Sequence, residues 1–575
     1  MPSFRDADVT VAVRALAIIS CASLAAVIAY RTLTASRRVP PTQLPPYLLD
    51  APALAAEIRS DADSIASILS QALRLRTISF ETADGDAASL LEGSGPPVAA
   101  PRGGCACCGQ AGASAGAADD EGAAADARVS PTREALDESR AAFLAFHALL
   151  ERSFPRLHAR LERHVVNTFS LLYVWRPRDA SAAARPAVAL AAHMDVVPVP
   201  DAAAWRFGPF AGTISDGFVH GRGAIDDKHA LITICAAVEA LLQRGFEPLT
   251  PVVLAFGHDE EIGGTDGAAA IAAALPGLLA PCATGARPLA FLLDEGLFLM
   301  RGLVPGVTRR VAMVCTGEKG HVNIELSVTA PSGHSSVPPD SSAIGRLARA
   351  VVAVEAAGAR APLHPEPALS LLRALAPDLP LGLRALVGNA WLTAPLLVRA
   401  LLNAPTTAAL VRTTTAVTMQ SGGIKSNVMP PRATALVNHR IHPAESVADV
   451  VARDTRAAGV GVAVRVLEPL EPAPVARADE CAPGWTSVRD AIGIVFDDAP
   501  VVAEGLMLGN TDTRHFWGIA SDIYRHSPTE LSQEETKMFH GRDEKVAVDN
   551  LGKLAAFYAT LIMGGTARVA SESAH

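Results

Sequence analysis

Aromatic residues are scarce in this sequence, and it has no excess of positive charge. Phe, Trp and Tyr make up 5% of the 575 residues, and 50 Lys and Arg stand against 59 Asp and Glu, which gives a net charge of −9. Proteins that bind nucleic acid normally carry a basic surface, so the composition argues against nucleic acid as a partner. Half of the residues are hydrophobic and 19% are charged, which excludes a wholly disordered chain and provides cores for two or more domains.

Cysteine is also rare. Eight cysteines in a chain of this length are too few for a disulfide scaffold. Cys105, Cys107 and Cys108 crowd together, but no second Cys pair or His pair follows at the spacing of a zinc finger. They lie in residues 84–131, a stretch of Ala, Gly, Ser, Pro and acidic residues that predicts a disordered insertion.

One long hydrophobic run lies near the N-terminus, behind a short tail of residues 1–8. Residues 9–31 have about the length needed to cross a bilayer, near 20 residues. A Pro-rich stretch at residues 32–50 is typical of a stalk. The pattern predicts routing to the secretory pathway, with a single-pass membrane anchor favoured over a cleaved signal peptide or a buried helix. An anchored protein would reside in a vacuole-like or lysosome-like compartment, and a cleaved one would be secreted.

A second apolar run, residues 381–402, contains two arginines, an asparagine and a proline. These interruptions favour a buried or partner-facing helix pair over a second membrane span. The run could widen a small domain to take an acyl chain or a membrane surface, or it could contribute to dimer packing.

Short apolar strands alternate with helices in the middle of the chain. The strands are predicted at residues 187–195, 251–261 and 288–296, with a helix closed by glycine at residues 229–245. Continuous apolar strands that alternate with helices predict an α/β fold with a mainly parallel, two-sided central sheet.

The pattern changes beyond residue 320. Residues 320–330 and 433–443 alternate between apolar and polar side chains, and an amphipathic helix lies between them. This predicts a smaller α+β domain inserted into the first. We therefore expect a catalytic domain at residues 51–320 and 444–565, interrupted by a lid or dimerisation domain at residues 321–443 and followed by a short tail.

Acidic and histidine side chains follow each buried strand. They are His193 and Asp195, then Asp259, Glu260 and Glu261, then Asp294 and Glu295, with Asp226 and Asp227 in a loop before a helix. The carboxyl ends of parallel strands meet at one edge of a sheet, and so many carboxylates would repel one another unless a cation compensated them. Mixed carboxylate and imidazole ligands suit Zn²⁺ or a similar metal better than Ca²⁺.

A single acidic residue after a strand usually caps the next helix. Here four strand ends or loops carry such residues at nearly even spacing, at positions 193, 226, 261 and 294, which favours a metal site. Two ions close together need a bridging carboxylate, for which the loop aspartate is placed. A hydrolase needs one more carboxylate that binds no metal and accepts a proton from water. The adjacent Glu260 and Glu261 can divide these two tasks.

Nine motifs between residues 167 and 546 resemble one enzyme family: AAHMDVVPV, GRGAIDDKHAL, GHDEEIGG, LLDEG, GEKGHVNIELSVTAPSGHSSVPP, GGIKSNVMPP, NHRIHP, GNTDTRHF and FHGRDEKV. The chain is similar to the co-catalytic di-zinc amidohydrolases and peptidases that include aminoacylase and carnosinase. Within that family it is most similar to the branch with carboxypeptidase S and the secreted N-fatty-acyl-amino-acid hydrolase. The insertion at residues 84–131 and the sequence HGRDEK, where relatives often carry Asn before Glu, depart from the family pattern.

The resemblance implies two zinc ions per subunit, with Co²⁺ or Mn²⁺ as substitutes. It implies the following ligands: His193 and Glu261 on different ions, Asp226 as the bridge, and Asp294 and His540 as the remaining two. His526 is a second candidate, but His540 fits the HGxxE pattern of the family better.

Further roles follow from the same resemblance. Asp195 is expected to orient His193, and Glu260 to act as the general base. His334 is expected to polarise the scissile carbonyl, and in dimeric members this histidine comes from the partner subunit, so a homodimer through the lid domain is possible.

Asn427 and Arg514 are candidates to bind a substrate carboxylate, with Arg440 behind them, because a guanidinium pairs with a carboxylate through two hydrogen bonds. A salt bridge within a strand is the alternative for Arg440. The expected function is hydrolysis of an amide next to a free carboxylate, by a Gly-X-type carboxypeptidase acting on short peptides. The alternative is an N-acyl or fatty-acyl amino-acid amidohydrolase, and a distant one is a non-catalytic, membrane-tethered binding protein.

Overall fold

The computed structural model describes residues 23–35, 45–80, 131–279, 287–304, 306–498, 500–532 and 534–573. The predicted insertion with its three cysteines therefore lies outside the described residues, apart from residue 131. Residues 9–22 of the predicted membrane segment also lie outside them.

Seventeen strands are labelled in chain order among the described residues. They are β1 (Glu162–Val166), β2 (Ser170–Trp175), β3 (Ala187–His193), β4 (Thr213–Ser215), β5 (Phe218–His220), β6 (Val252–Gly257), β7 (Leu289–Met300), β8 (Val311–Glu318), β9 (Gly320–Thr329), β10 (Gly333–His334), β11 (Thr414–Gly422), β12 (Val428–Met429), β13 (Arg432–Ile441), β14 (Ala463–Leu470), β15 (Val501–Met507), β16 (Ala520–Glu530) and β17 (Lys545–Ala547).

The helices are labelled in the same way. They are α1 (residues 23–34), α2 (Ala51–Ser60), α3 (Ala62–Leu73), α4 (Arg133–Ser153), α5 (Pro155–Arg160), α6 (Lys228–Gln243), α7 (Ala268–Leu278), α8 (Ala343–Ala359), α9 (Ala368–Leu375), α10 (Leu381–Gly388), α11 (Ala390–Leu401), α12 (Pro405–Ala408), α13 (Val447–Ala458), α14 (Pro483–Val495) and α15 (Val548–Glu572).

An eight-stranded sheet with the order β1-β2-β6-β3-β7-β16-β8-β15 forms the larger domain. β3 runs parallel to β6 and β7, β7 runs parallel to β16, and β15 runs parallel to β8, whereas β1 and β2 are antiparallel. β3 and β6 are buried along their whole length because helices cover both faces. One face packs against α6 and α15, and the other against α7. The predicted α/β class with a mainly parallel central sheet is confirmed.

A second, antiparallel sheet has the order β11-β13-β9-β14. Buried and less buried residues alternate along β9 and β13, as the sequence pattern predicts, and the buried side chains pack against α8. β14 pairs with β9 along residues 463–470, so the smaller sheet continues past the expected boundary at residue 443. α13 starts with a capping box at Ser446, but a local start signal does not reveal which sheet a helix packs on.

The run at residues 381–402 forms α10 and α11. Among the described residues, no single helix is long and apolar enough to cross a membrane, although these two pass that test together with a bend of 116° between them. Their inner side chains, such as Val387 and Leu397, pack with α9 against Val311 and Val501 of the large sheet. Their outer side chains are exposed, so the pair is half-buried at the edge of the larger domain.

Candidate metal centre

Three neighbouring strands carry the predicted ligands to one edge of the central sheet. β3 ends at His193, and β6 is followed by a short 3-10 turn, Glu260–Ile262. β7 carries Asp294 and Glu295 within its length. The loop before α6 adds Asp226 from the same side.

Asp226 lies between two histidines. Its Oδ1 is 3.1 Å from Nε2 of His193, and its Oδ2 is 3.2 Å from Nε2 of His540. Nε2 of His540 is also 3.1 Å from Oε2 of Glu261. His193, Asp226 and Glu261 each offer one ligand atom within 4.8 Å of the others, so these side chains can share an ion.

A second group of possible ligands contains a residue to which sequence reasoning assigned no role. His193, Glu260 and Glu295 also offer atoms within 4.8 Å of one another. Asp294 lines the same small cavity as His193 and Glu260. Its Oδ1 accepts the Glu295 N–H at 2.9 Å, and its Oδ2 is buried with no hydrogen-bond partner among the described residues. The LLDEG motif contains both acids, but the motif alone does not tell which side chain faces the histidine.

Asp195 connects the histidine with the glutamate turn. Its carboxylate accepts the backbone N–H groups of Glu260 and Glu261, each at 3.1 Å, and the hydroxyl of Ser79 at 2.7 Å. Its Oδ1 is also 3.2 Å from Nδ1 of His193. Burial alone would raise the pKa of Asp195. The hydrogen bonds, of which that with His193 has the largest effect, outweigh burial and lower the pKa below its ordinary value. Neither the role of Ser79 nor the contact of Asp195 with the turn was predicted from the sequence.

The electrostatics of the cluster fit a divalent cation. Burial raises the pKa of Asp294 to about 6 and the pKa of Glu260 and Glu295 well above the ordinary value. Hydrogen bonds with Asp226 and Glu261 raise the pKa of His540 to about 10. Crowded carboxylates hold protons because their charge is uncompensated, and a bound cation removes that penalty. The unpartnered oxygen of Asp294 and the mixed imidazole and carboxylate donors therefore suit a metal such as zinc.

Glu544 joins the two loops that carry Asp226 and His540. Its Oε2 accepts from Nη1 of Arg222 at 2.7 Å and from the N–H of Gly223 at 3.0 Å, and its Oε1 accepts from the N–H of Ile225 at 2.7 Å. Nη2 of Arg222 donates to the carbonyl of Gly541 at 2.7 Å. We call this set the loop clamp. The loop clamp was not predicted, although Glu544 is the last residue of the HGxxE pattern that begins at His540.

Two arginines lie near each other, Arg440 and Arg514. Nη2 of Arg514 lies 3.9 Å from the position that a Cβ on Gly263, at the end of the Glu260–Ile262 turn, would take. Arg440 on β13 donates from Nη1 to Oδ1 of Asn510 at 2.5 Å, and Nε of Arg514 is buried without a hydrogen-bond partner. Burial, opposed by Glu318 and reinforced by Arg514, lowers the pKa of Arg440. Among the described residues neither arginine forms a salt bridge, and Arg440 is bonded to the Asn510 amide, with Glu318 acting on it only through its charge. This argues against the salt bridge within a strand. Paired cations without an acidic partner can receive an anionic ligand.

His334 and Asn427 lie elsewhere, at the exposed two-stranded sheet formed by β10 and β12. The carbonyl of Asn427 accepts the N–H of Ser335 at 3.1 Å, and Nδ1 of His334 is 2.7 Å from Oγ of Ser336. Within the described part of one chain, no contact joins either residue to Glu260 or Arg514. The structure therefore groups Asn427 with His334 and not with Arg514.

His526, the second candidate ligand, is buried inside the sheet. Its Nδ1 lies 2.8 Å from the carbonyl of Leu297 and 3.0 Å from that of Met313. The Nδ1 atom of His526 is therefore occupied by backbone carbonyls. His540, by contrast, is exposed and lies beside Asp226, where it can act as a ligand.

A mainly parallel sheet with carboxylates and imidazoles grouped at one edge is the arrangement of a metal-dependent hydrolase. Residues 189–564 match the family described as Peptidase family M20/M25/M40. This chain belongs to that family, and the predicted resemblance is confirmed.

The alignments with curated relatives cover most of the length of each relative. The N-fatty-acyl-amino acid synthase/hydrolase PM20D1 of Bos taurus is 37% identical over 74% of this chain and 83% of the relative. The probable carboxypeptidase S-like 2 of Dictyostelium discoideum is 37% identical over 74% and 80%. Carboxypeptidase S of Saccharomyces cerevisiae is 32% identical over 73% and 78%.

A solved structure supports the fold. Human carnosine dipeptidase 1 aligns over 91% of this chain and 100% of its own, with a TM-score of 0.55 and 14% identity. At that identity the likeness concerns the fold alone.

Proposed function

We propose that this enzyme hydrolyses an amide bond next to a free carboxylate, as a Gly-X-type carboxypeptidase of short peptides. The observation that carries the proposal is the pair Arg440 and Arg514, which lie near each other and form no salt bridge with a carboxylate of the described residues. Arg514 also approaches Gly263, which follows the Glu260–Ile262 turn. Such a pair suits a substrate that ends in a carboxylate. The relatives named carboxypeptidase S agree with this substrate class.

A second candidate is hydrolysis of an N-acyl amino acid, which presents the same amide and carboxylate. The relatives named N-fatty-acyl-amino acid synthase/hydrolase favour it, with 37% and 38% identity in Bos taurus and Mus musculus. Both candidates need the same arginines and differ in what lies on the acyl side of the amide.

The proposed cofactor is two zinc ions, held by His193, Asp226, Glu261, Asp294 and His540. The chemistry that bound zinc supplies is polarisation of the scissile carbonyl and a lowered pKa of a nearby water. Co²⁺ or Mn²⁺ are expected to substitute for it. Asp195 would keep His193 in the orientation that directs its Nε2 toward the cluster.

The proton transfers are assigned to Glu260. Its carboxyl group accepts a proton from the attacking water and returns it to the leaving amine. Arg440 and Arg514 hold the substrate carboxylate during both steps. His334 would stabilise the oxyanion and Asn427 would help to bind the substrate, both from the partner subunit of a homodimer formed through the lid domain.

The decisive experiment combines metal content with a substrate pair. Purified full-length protein is stripped with a chelator, reloaded with zinc, and assayed on Cbz-Gly-Leu and N-oleoyl-Phe. We expect activity to disappear with the metal and return with zinc, cobalt or manganese. Preference for the dipeptide supports the carboxypeptidase, preference for the acyl amino acid supports the second candidate, and no turnover of either would refute the proposal.

We further infer that residues 9–31 direct the chain to the secretory pathway and anchor it in a membrane. The apolar character of that segment and the Pro-rich stretch behind it support this proposal. An epitope-tagged chain should sediment with membranes after alkaline carbonate washing. Recovery from the medium would indicate cleavage instead, and recovery in the cytosol would contradict the routing.

A further inference from the structure

Three short helices expose apolar side chains on one side of the larger domain. Tyr30 on α1 is 68% exposed, and Trp391 and Leu396 on α11 are 54% and 66% exposed. The other exposed large apolar side chains of these helices are Leu24, Val27, Leu33, Leu381, Leu386 and Leu392. We call this set the apolar face. It combines segments that are about 350 residues apart in the chain.

Specific contacts assemble the apolar face. A Cβ at Gly388 would lie 3.1 Å from the carbonyl oxygen of Arg31, so the glycine permits a close approach of α1 and α10. Nδ2 of the buried Asn389 donates to Oγ1 of Thr32 at 3.3 Å. The guanidinium of Arg31 lies 5.9 Å from the centre of the Trp391 ring. The helix α1 is therefore packed against the bent pair.

The catalytic domain supports the face from behind. Leu397 and Val387 point inward and pack with Leu375 of α9 against Val501 of β15. The helices thus have one buried side against the sheet and one apolar side toward solvent. When a helix is apolar on two sides, the side that does not face the core is normally buried against a partner protein or a membrane.

Two observations favour a lipid bilayer over a protein as the covering phase. The first is chemical: exposed Trp and Tyr beside an arginine are the side chains that stabilise a helix at the headgroup level. The second is continuity: the eight residues before α1 in the sequence, ALAIISCA, contain no charged residue. The chain that leads into the face is therefore suited to lipid as well.

We propose that the apolar face of α1, α10 and α11 inserts into the interfacial layer of a phospholipid bilayer, so that the catalytic domain rests on the membrane. The bend of 116° lets α10 and α11 lie in the interface, where an amphipathic helix buries one side without crossing. Residues 23–31 of α1 belong both to this face and to the segment 9–31 proposed as an anchor, whereas α10 and α11 lie outside that segment. The membrane contact is independent of the proposed substrate, because it makes no use of the metal centre.

Tryptophan fluorescence can test this contact residue by residue. Trp391 is the exposed one among the five tryptophans, whereas Trp175, Trp205 and Trp485 are buried and Trp517 is partly buried. Full-length protein is mixed with phosphatidylcholine vesicles whose acyl chains carry bromine, a short-range quencher. We expect quenching that plain vesicles do not produce and that the variant Trp391→Phe loses.

Matched variants separate this contact from the N-terminal segment. Leu392→Glu with Leu396→Glu should abolish the quenching of Trp391 even if residues 9–31 still hold the chain on the vesicles. Val460→Glu, at a fully exposed position outside the face, should leave the quenching unchanged. Turnover of a soluble dipeptide by the double variant, equal to that of the parent, shows that it is folded.

Three outcomes would overturn the proposal. One is the absence of quenching by brominated lipid, and another is quenching that persists in Trp391→Phe. The third is a lipid-free dimer in analytical ultracentrifugation that dissociates in the double variant, which would assign the face to a second copy of the chain.

Discussion

At the scale of single residues, Glu260 is the group on which the proposed chemistry depends most. Its backbone N–H is bonded to Asp195, so its position does not depend on its own side chain. Burial, with Asp512 and Glu261 nearby, raises its pKa well above the ordinary value of a glutamate. A carboxyl with a raised pKa can both accept and return a proton.

We therefore expect Glu260→Gln to keep its metal and to lose about 10²–10⁴-fold in kcat. Metal content by atomic absorption and steady-state kinetics on the better substrate measure the two effects. Near-normal turnover in this variant would show that another group is the base.

Asp294 and Glu295 are alternative candidates for the fifth metal ligand. Asp294→Asn should lower the metal content, because the unpartnered Oδ2 of Asp294 faces the cavity that also contains His193. Glu295→Gln is the matched variant, since its carboxylate belongs to the second possible ligand group. If Glu295→Gln loses metal and Asp294→Asn does not, the fifth ligand is Glu295.

Arg440 and Arg514, the proposed carboxylate-binding pair, can be compared with Arg432, which lies on the same strand as Arg440. Arg514→Ala and Arg440→Ala should each raise KM, with kcat/KM reduced by about 10–100-fold, the cost of a lost charged hydrogen bond. Arg432 also lies on β13 and forms a salt bridge with Glu325 at 3.2 Å on the exposed surface. Arg432→Ala should change kcat/KM less than twofold, because Arg432 pairs with Glu325 on the exposed surface and contacts neither Asn510 nor Arg514. Equal effects of all three variants would argue against an anion site.

At the scale of elements, the loop clamp holds two loops in a fixed relation. Glu544→Gln keeps the shape but removes the charge that Arg222 pairs with, so Asp226 and His540 lose their common support. We expect metal affinity to fall by about 10–100-fold, as for other groups that orient metal ligands. Isothermal titration with zinc measures it.

Glu534→Gln is the control for the clamp, because Glu534 pairs with Lys537 on the exposed surface near the same loop. Its metal affinity should equal that of the parent. A loss of affinity in Glu544→Gln that added zinc cannot restore would point to misfolding and not to a weakened site.

Local patterns in the sequence explain why some elements could be predicted. β3 and β6 are short apolar runs that end in acid or histidine, so both their burial and their site residues are visible in the sequence. Glu544, Ser79 and β14 were missed for one physical reason: their roles come from partners at sequence distances of more than 100 residues. The spacing of apolar residues along a segment predicts its secondary structure, but it contains no information about contacts with distant segments.

At the scale of the whole molecule, buried histidines couple stability to pH. Burial lowers the pKa of His258, His442 and His526 to about 4 from 6.5. Between these values the unfolded chain binds more protons than the folded chain. The contribution of these histidines is therefore complete above pH 6.5 and is lost as the pH falls toward 4.

His526→Gln isolates one such contribution, because Gln can bond backbone but does not titrate. The free energy of unfolding of the parent, relative to this variant, should decrease as the pH falls from 7 to 5. Urea denaturation at several pH values measures the difference. An identical pH dependence of the parent and His526→Gln would contradict the prediction.

The strand order has a consequence for biosynthesis. β16 lies between β7 and β8, although some 200 residues, with the whole smaller sheet, separate it from β8 in the chain. While the ribosome is still translating the region before Ala520, the edge of β7 that later pairs with β16 has no partner strand, apart from the pairing of Leu299 and Met300 with β8. Nascent chains with such open edges are prone to misassociation. Stalled or truncated products ending before β16 should therefore need chaperones to stay in solution, whereas the smaller sheet, complete by Leu470, can form earlier.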